Sequence, residues 1–346
     1  MNKNNKTRHA LAGLLLGGLC SLLPVQQAQA QTFCVFDPLG QGGDYYSMFQ
    51  DYQLAAKRWG VQIDLKVYPD DQKLDDAFKS GECDMASMIG IRARTYNQFT
   101  GSIDSPSTVE NYVELREVMN LMASPKLSKY MVSGDYEVVG MVPVGAAYAV
   151  VNDRYINSLE HGAGKRIAMM KWDKSQPIMA EYFKSVPVMV DITQFGDYFN
   201  HNKVDFVVVP LAVYKALELS KGVGSKGGIV RRPMLQFTMQ LVAHNGKFPA
   251  DFGQKSREYM LTQTDHALSL ARNMEASIDN RLWIYAVRSE VTEWNNSMRG
   301  LLNKLVQMGF YDKRMLTLLK RIRCSNDKEE PECAPTVEQA REAGHP

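Results

Sequence analysis

Two α/β lobes followed by a largely helical C-terminal third are what this 346-residue chain predicts, and three observations predict it. A strand–helix–strand–helix–strand succession runs from Thr32 to Ile89, and a second runs from Arg166 to Val209. Between them lie two apolar runs, Val138 to Val144 and Ala146 to Val151. Alternating strands and helices are the pattern of a parallel sheet covered by helices. The length is more than one small core fills, which favours two lobes over one.

Thr32 to Phe36 is a short apolar strand ending at Asp37-Pro38-Leu39-Gly40. Asp44 is placed to cap a helical pattern through Tyr46, Phe49, Leu54, Ala55 and Trp59. Val61, Ile63, Leu65 and Val67 alternate with Gln62, Asp64 and Lys66, the two-residue period of a strand. Leu74 to Lys79 reads as a helix and Cys83 to Ile89 as the third strand. In the commonest doubly wound order that strand pairs with the first, on the side opposite the second. Residues 108–124 form an amphipathic helix, and the two apolar runs read as strands separated at Gly145.

The second unit has strands at Arg166–Met170, Val186–Val190 and Val204–Val209, with helices at Pro177–Phe183, Thr193–Phe199 and Leu211–Leu219. Gly222 to Gly228 reads as a flexible turn and Leu235 to Val242 as a further strand. From Phe248 the pattern is helical almost to Arg323. The expected organisation is a signal peptide over 1–30, a first lobe from 31–140 and about 235–280, and a second lobe over 141–234. C-terminal helices over 281–323 and a polar tail over 324–346 complete it.

The first thirty residues carry an export signal: Lys3, Lys6 and Arg8, an apolar run from Ala10 to Leu23, then Ala28-Gln29-Ala30, with cleavage after Ala30. The run is shorter than the roughly 20 residues a spanning helix needs, so the mature chain is expected not to span a membrane. Losing three positive charges takes the formal net charge from +2 to −1. That leaves no electrostatic footprint for nucleic acid. Four cysteines remain after export, Cys34, Cys83, Cys324 and Cys333, an even number that favours disulfides in an oxidising compartment. Of three pairings, neighbouring first and third strands favour Cys34–Cys83, which leaves Cys324–Cys333 to close a tight loop in the tail.

In open α/β sheets ligands bind beyond the carboxyl ends of the strands, and that rule selects the ligand-binding candidates. After the first strand come Asp37, Gln41 and Tyr45, in a glycine-rich loop where backbone can approach a ligand closely, although Gly42-Gly43 serves equally as a plain turn. Arg92 and Arg94 follow the third strand, with Asn97 nearby. Arginine binds planar anions bidentately, and the alternative roles are a solvated surface or a pairing with Asp104. Lys171, Trp172 and Asp173 follow the first strand of the second unit, where they suit a polar ligand with a ring or an amine; Asp173 also suits a cap for the next helix. Pro210 borders the end of the last strand. His161, His201, His244 and His266 are isolated, and the sequence holds no catalytic triad order, P-loop or H-E-x-x-H. No enzyme activity, metal or cofactor is therefore expected.

The succession Gly164-Lys165-Arg166-Ile167-Ala168-Met169-Met170, Val186-Pro187-Val188-Met189, Asp191 to Tyr198, and Val204-Asp205-Phe206-Val207-Val208-Val209-Pro210 resembles the periplasmic solute-binding proteins of TRAP transporters, the DctP-like family. The segment Ile91 to Asp104 is similar to a branch of that fold labelled AdeT-like or RND-efflux-associated. The resemblance implies a two-lobed periplasmic-binding-protein-like fold capturing a small polar, anionic solute for an inner-membrane permease. The branch label implies an alternative, a periplasmic accessory to drug (aminoglycoside) efflux with no transport ligand. The family's carboxylate-clamping arginine falls on Ala168, with Arg166 and Lys171 as neighbours, and its asparagine falls on Val209. Both substitutions depart from the standard carboxylate site.

Overall fold

The computed structural model describes residues 30–285, 288–328 and 331–333. The expected signal peptide, apart from Ala30, and most of the polar tail therefore lie outside the described residues. β1 (Gln31–Phe36), α1 (Asp44–Arg58), β2 (Ile63–Tyr68), α2 (Asp71–Lys79) and β3 (Met85–Ile89) form the first unit. β1 is central. Its Phe33 lies opposite Leu65 of β2 on one side and Met85 of β3 on the other, both pairings parallel. Phe33, Cys34 and Val35 are fully buried, and α1 turns Met48, Phe49 and Tyr52 onto them. Cys34 and Cys83 are joined, their Cα atoms 5.8 Å apart.

α3 (Tyr112–Ala123) leads into β4 (Tyr136–Val151), a single 16-residue strand rather than two strands separated at Gly145. Gly145 takes φ +118°, open to glycine alone, and a Cβ there would stand 2.8 Å from the Ala271 Cβ. The glycine thus absorbs an irregularity in the ladder without ending the strand.

β5 (Arg166–Met170), α4 (Ser175–Tyr182), β6 (Val186–Val190), α5 (Phe195–Asn200) and β7 (Phe206–Pro210) repeat the first unit's plan, with β5 central. The run after Pro210 is not the expected helix to Leu219. It makes one short turn at Leu211–Val213, and Glu218 takes a left-handed conformation that stops helical propagation. Nor is Gly222–Gly228 an open flexible turn. A Cβ on Gly227 would fall 2.2 Å from the Val151 carbonyl oxygen, so glycine is there for close approach. Gly228 opens β8 (Gly228–Val230), which pairs with β4.

β9 (Leu235–His244) runs antiparallel to β3 and β4, and the sheet order is β2-β1-β3-β9-β4-β7-β5-β6. β4 and β9 therefore carry one sheet through both lobes. α6 (Phe252–Thr262) and α7 (Thr264–Ala276) lie along β4. The expected unbroken helical third is interrupted by β10 (Trp283–Ile284), paired with β8, before α8 (Arg288–Gln307) and α9 (Lys313–Asn326). Cys324 and Cys333 form the second disulfide. Among the described residues no helix is long and apolar enough to cross a membrane.

Candidate functional site

The carboxyl ends of β3 and β5 face each other, and the side chains beyond them meet across the two lobes. Arg92, 2% exposed, donates from Nε to Asp71 at 2.9 Å and pairs through Nη1 with Asp75 at 3.0 Å. Its guanidinium lies 3.8 Å from the centre of the Trp172 ring, so a first-lobe cation stacks on a second-lobe indole. Burial raises the Asp71 carboxyl, although Arg92 pulls it back down.

Arg94 crosses directly. Its Nη2 donates to Asp173 Oδ1 at 2.8 Å and to Ser175 Oγ at 3.0 Å, while Tyr311 lies against the guanidinium face at 4.5 Å. Asp173 Oδ1 also accepts from Ser175 N and Oγ, so one oxygen takes three donors and holds the start of α4. The other oxygen, Oδ2, and Arg94 Nη1 are buried without a hydrogen-bond partner. Spare polar valence on both sides of a closed seam is uncommon in a protein interior.

Beside this seam lies a cavity of about 170 Å³, enclosed by β5, β7, α4, α8 and the crossing strands. Its wall is mostly apolar, with Met179, Ala180, Phe206, Phe237, Met298 and Leu301 among its residues, and it includes Asp104 and Asp173. Asp104 is fully buried and accepts from Thr238 N at 3.1 Å and Thr238 Oγ1 at 2.6 Å. Burial pushes its carboxyl up to about 7, against hydrogen bonds that favour the ion.

The remaining predicted residues have other placements. Asp37 accepts from the backbone N–H groups of Leu39, Tyr45 and Tyr46, and so does the capping that Asp44 was expected to do; Gly43 is the N-cap and Asp44 sits in the first turn. A Cβ on Gly43 would overlap that carboxylate, which explains the glycine. Gln41 is exposed in the turn before α1, and Tyr45 is half-buried at its start. Asn97 is saturated: it donates to the Tyr130 and Met131 carbonyls and accepts from Thr100 N. Lys171 reaches outward to Asp191 at 2.8 Å. Pro210 ends β7 opposite Ala147. Ala168 lines the cavity where the family resemblance implies an arginine, and Arg166 is held by Asp205 at the far end of β5.

Sequence reasoning did not single out Asp71, Asp75, Ser175 or Tyr311. Asp71 and Asp75 lie four apart on one face of α2, a signal that could have marked them as a paired-acid surface. Tyr311 comes from the opposite end of the chain, and nothing local announces it.

The family described as solute-binding protein AdeT 1/2 is matched over residues 53–338. The probable solute-binding protein AdeT1 of Acinetobacter baumannii is 37% identical over 300 residues, covering 87% of this chain and 99% of that protein. The probable solute-binding protein AdeT2 of the same organism is 26% identical over 67% of this chain and 98% of its own length. Among solved structures, the fold is similar to a TRAP periplasmic solute-binding protein from Desulfovibrio salexigens with bound orotic acid (TM-score 0.70, 10% identity, 86% of this chain and 98% of that one). It is also similar to one from Ralstonia eutropha with bound (S)-2-acetolactate (TM-score 0.69, 13% identity, 86% and 99%). These likenesses establish the two-lobed fold.

Proposed function

The chain belongs to the AdeT 1/2 solute-binding protein family, and on that premise we propose that it is a periplasmic carrier that holds a small solute between its lobes and passes it to a membrane transporter. The observation that carries this reading is the seam itself. Arg94 of one lobe and Asp173 of the other sit at the carboxyl ends of their strands, where α/β sheets take ligands. Each keeps a buried polar atom without a partner. A solute that supplies those partners would stabilise the closed form over the open one, which is how a ligand closes two lobes. An anionic solute, the class expected from the sequence, would have to draw Arg94 away from Asp173 or bind its free Nη1. Export through the signal peptide, with cleavage after Ala30, supplies the compartment.

The test is a thermal-shift screen against organic acids, amino acids, sugars and amines, with native mass spectrometry of any ligand retained on purification. A solute at a hundred times its Kd should contribute about 2.7 kcal/mol. For a chain of this size that is a rise of about 4 °C, and for an anionic solute Arg94→Ala should weaken binding at least tenfold. No shift from any class and no retained molecule would overturn the reading. Recovery of an efflux component in a pull-down beside that silence would favour the accessory role.

A further inference from the structure

The cavity beside the seam has a chemistry of its own. Its lining contains two carboxylates, Asp104 and Asp173, and no lysine, arginine or histidine. Both oxygens of Asp104 are turned to Thr238. Asp173 is different: 4% exposed, it loads three donors onto Oδ1 and leaves Oδ2 empty. A carboxylate oxygen shut away from water without a donor carries a desolvation cost of about 1–3 kcal/mol or more. A ligand donor reaching it would recover that cost. Around this acceptor the wall is mostly aliphatic, aromatic and thioether, with Asn157, Ser158, Gln176 and Ser185 among its polar members, which suits an apolar ligand body fixed by few polar contacts. The size is informative too, since a dry apolar cavity of about 150 Å³ holds a benzene molecule, and this one measures about 170 Å³.

We propose that this cavity seats the solute, and that the solute is a small amphipathic primary amine. Its apolar body of about six or seven carbons would lie between α4 and α8, and its ammonium would donate to Asp173 Oδ2 while Arg94 keeps Oδ1. A carboxylate head would face Asp104 and Asp173 on a wall that has no lysine, arginine or histidine of its own. The one neighbouring cation, Arg94, is already paired with Asp173 and would have to be drawn away or met at its free Nη1; Ala168 stands where the family resemblance implies an arginine. The inference rests on the solute-binding reading and narrows it to a site and a head group.

The experiment is calorimetric titration of the mature protein at neutral pH with cyclohexylamine, cyclohexanol and cyclohexanecarboxylate, which share one ring and differ in head. The amine should bind at least about tenfold tighter than the carboxylate, the scale of one hydrogen bond to a charged group. Ala180→Trp from α4 and Leu301→Trp from α8 fill the cavity from opposite walls, and each should abolish binding. Asp173→Asn should bring the amine down to the level of cyclohexanol and leave cyclohexanol within about twofold. If neither tryptophan variant folds, amine-induced shifts of the Ala180 and Leu301 methyl resonances in the unmodified protein locate the site instead, and their absence counts against it. Equal or tighter binding of the carboxylate, amine binding that survives both tryptophan variants, or no amine binding at all would overturn the proposal. An organic acid that binds and ignores the tryptophan variants would overturn it while leaving the solute-binding reading intact. Silence from every solute class would remove both.

Discussion

The two lobes follow one plan and are built to different strengths. Each has a central strand flanked by two parallel partners, β2-β1-β3 in the first and β7-β5-β6 in the second. The first is covered by helices of 15 and 9 residues, the second by helices of 8 and 6. A disulfide with both cysteines fully buried ties β1 to the segment entering β3, and edge-to-face contacts join Phe33, Phe49 and Tyr52 below it. In the second lobe the edge strand β6 leaves Val186 47% and Met189 38% exposed. Topology sets where ligand loops emerge, whereas burial and cross-links set which half opens first. The second lobe is therefore expected to open before the first.

The largest break in that comparison should come from Cys34→Ser with Cys83→Ser. Restoring chain entropy across a 49-residue separation should cost about 4 kcal/mol. Hydrogen exchange should then show β1 and β3 losing their advantage over β5 and β7; protection unchanged in β1 would show that packing alone makes the first lobe the stronger.

Next is the link between the lobes. Arg94→Met leaves Asp173 buried without its cation and should cost about 3 kcal/mol in urea unfolding. A loss under about 1 kcal/mol would mean that the seam opens to water easily.

A third effect depends on pH. Asp104 titrates near 7 when folded and near its ordinary 3.8 when unfolded. Well below pH 3.8 both states hold the proton. From there to about 7 the unfolded chain releases it and the folded one does not, so stability falls as pH rises by at most about 1.4 kcal/mol per unit, then levels. Asp104→Asn should flatten that part of the profile measured by denaturation at pH 5 and pH 8. A slope that persists would assign it to other groups.

The smallest effects test the edge. Met189→Thr on half-exposed β6 should change stability by less than about 0.5 kcal/mol. Lys171→Ala, which removes an exposed pair with Asp191, should do likewise. A larger loss from either would mean the second lobe is braced through its surface.

Much of the fold was legible because its signals are local. The alternation around Ile63 and Leu65 and the apolar face of α1 follow from periodicity, and the strand order that helical crossovers prefer favoured Cys34–Cys83 among three pairings, the one the structure has. The misjudged places share a cause. Gly145, Gly227 and Gly43 read as breaks or turns, but they are glycines because a neighbour's atoms occupy the space a Cβ would take. The site was legible in part. Arg94 and Asp173 stood out from their positions at strand ends, but their pairing did not, and Asp37 and Asn97 are consumed by backbone hydrogen bonds of their own loops.

By itself the sequence determined an exportable signature, two α/β units, an even set of cysteines in which Cys34–Cys83 was the favoured of three pairings, and which loops could carry ligand chemistry. Hydrophobic period and short-range pairing are written residue by residue. Only the tertiary structure decided that Arg92 lies on Trp172, that Arg94 meets Asp173, and that α8 and Tyr311, from the end of the chain, close a cavity over the second lobe. Those contacts join positions about 80 to 220 residues apart, and their geometry comes from how β4 and β9 aim two packed lobes at each other, a property of the assembled sheet that no local pattern encodes.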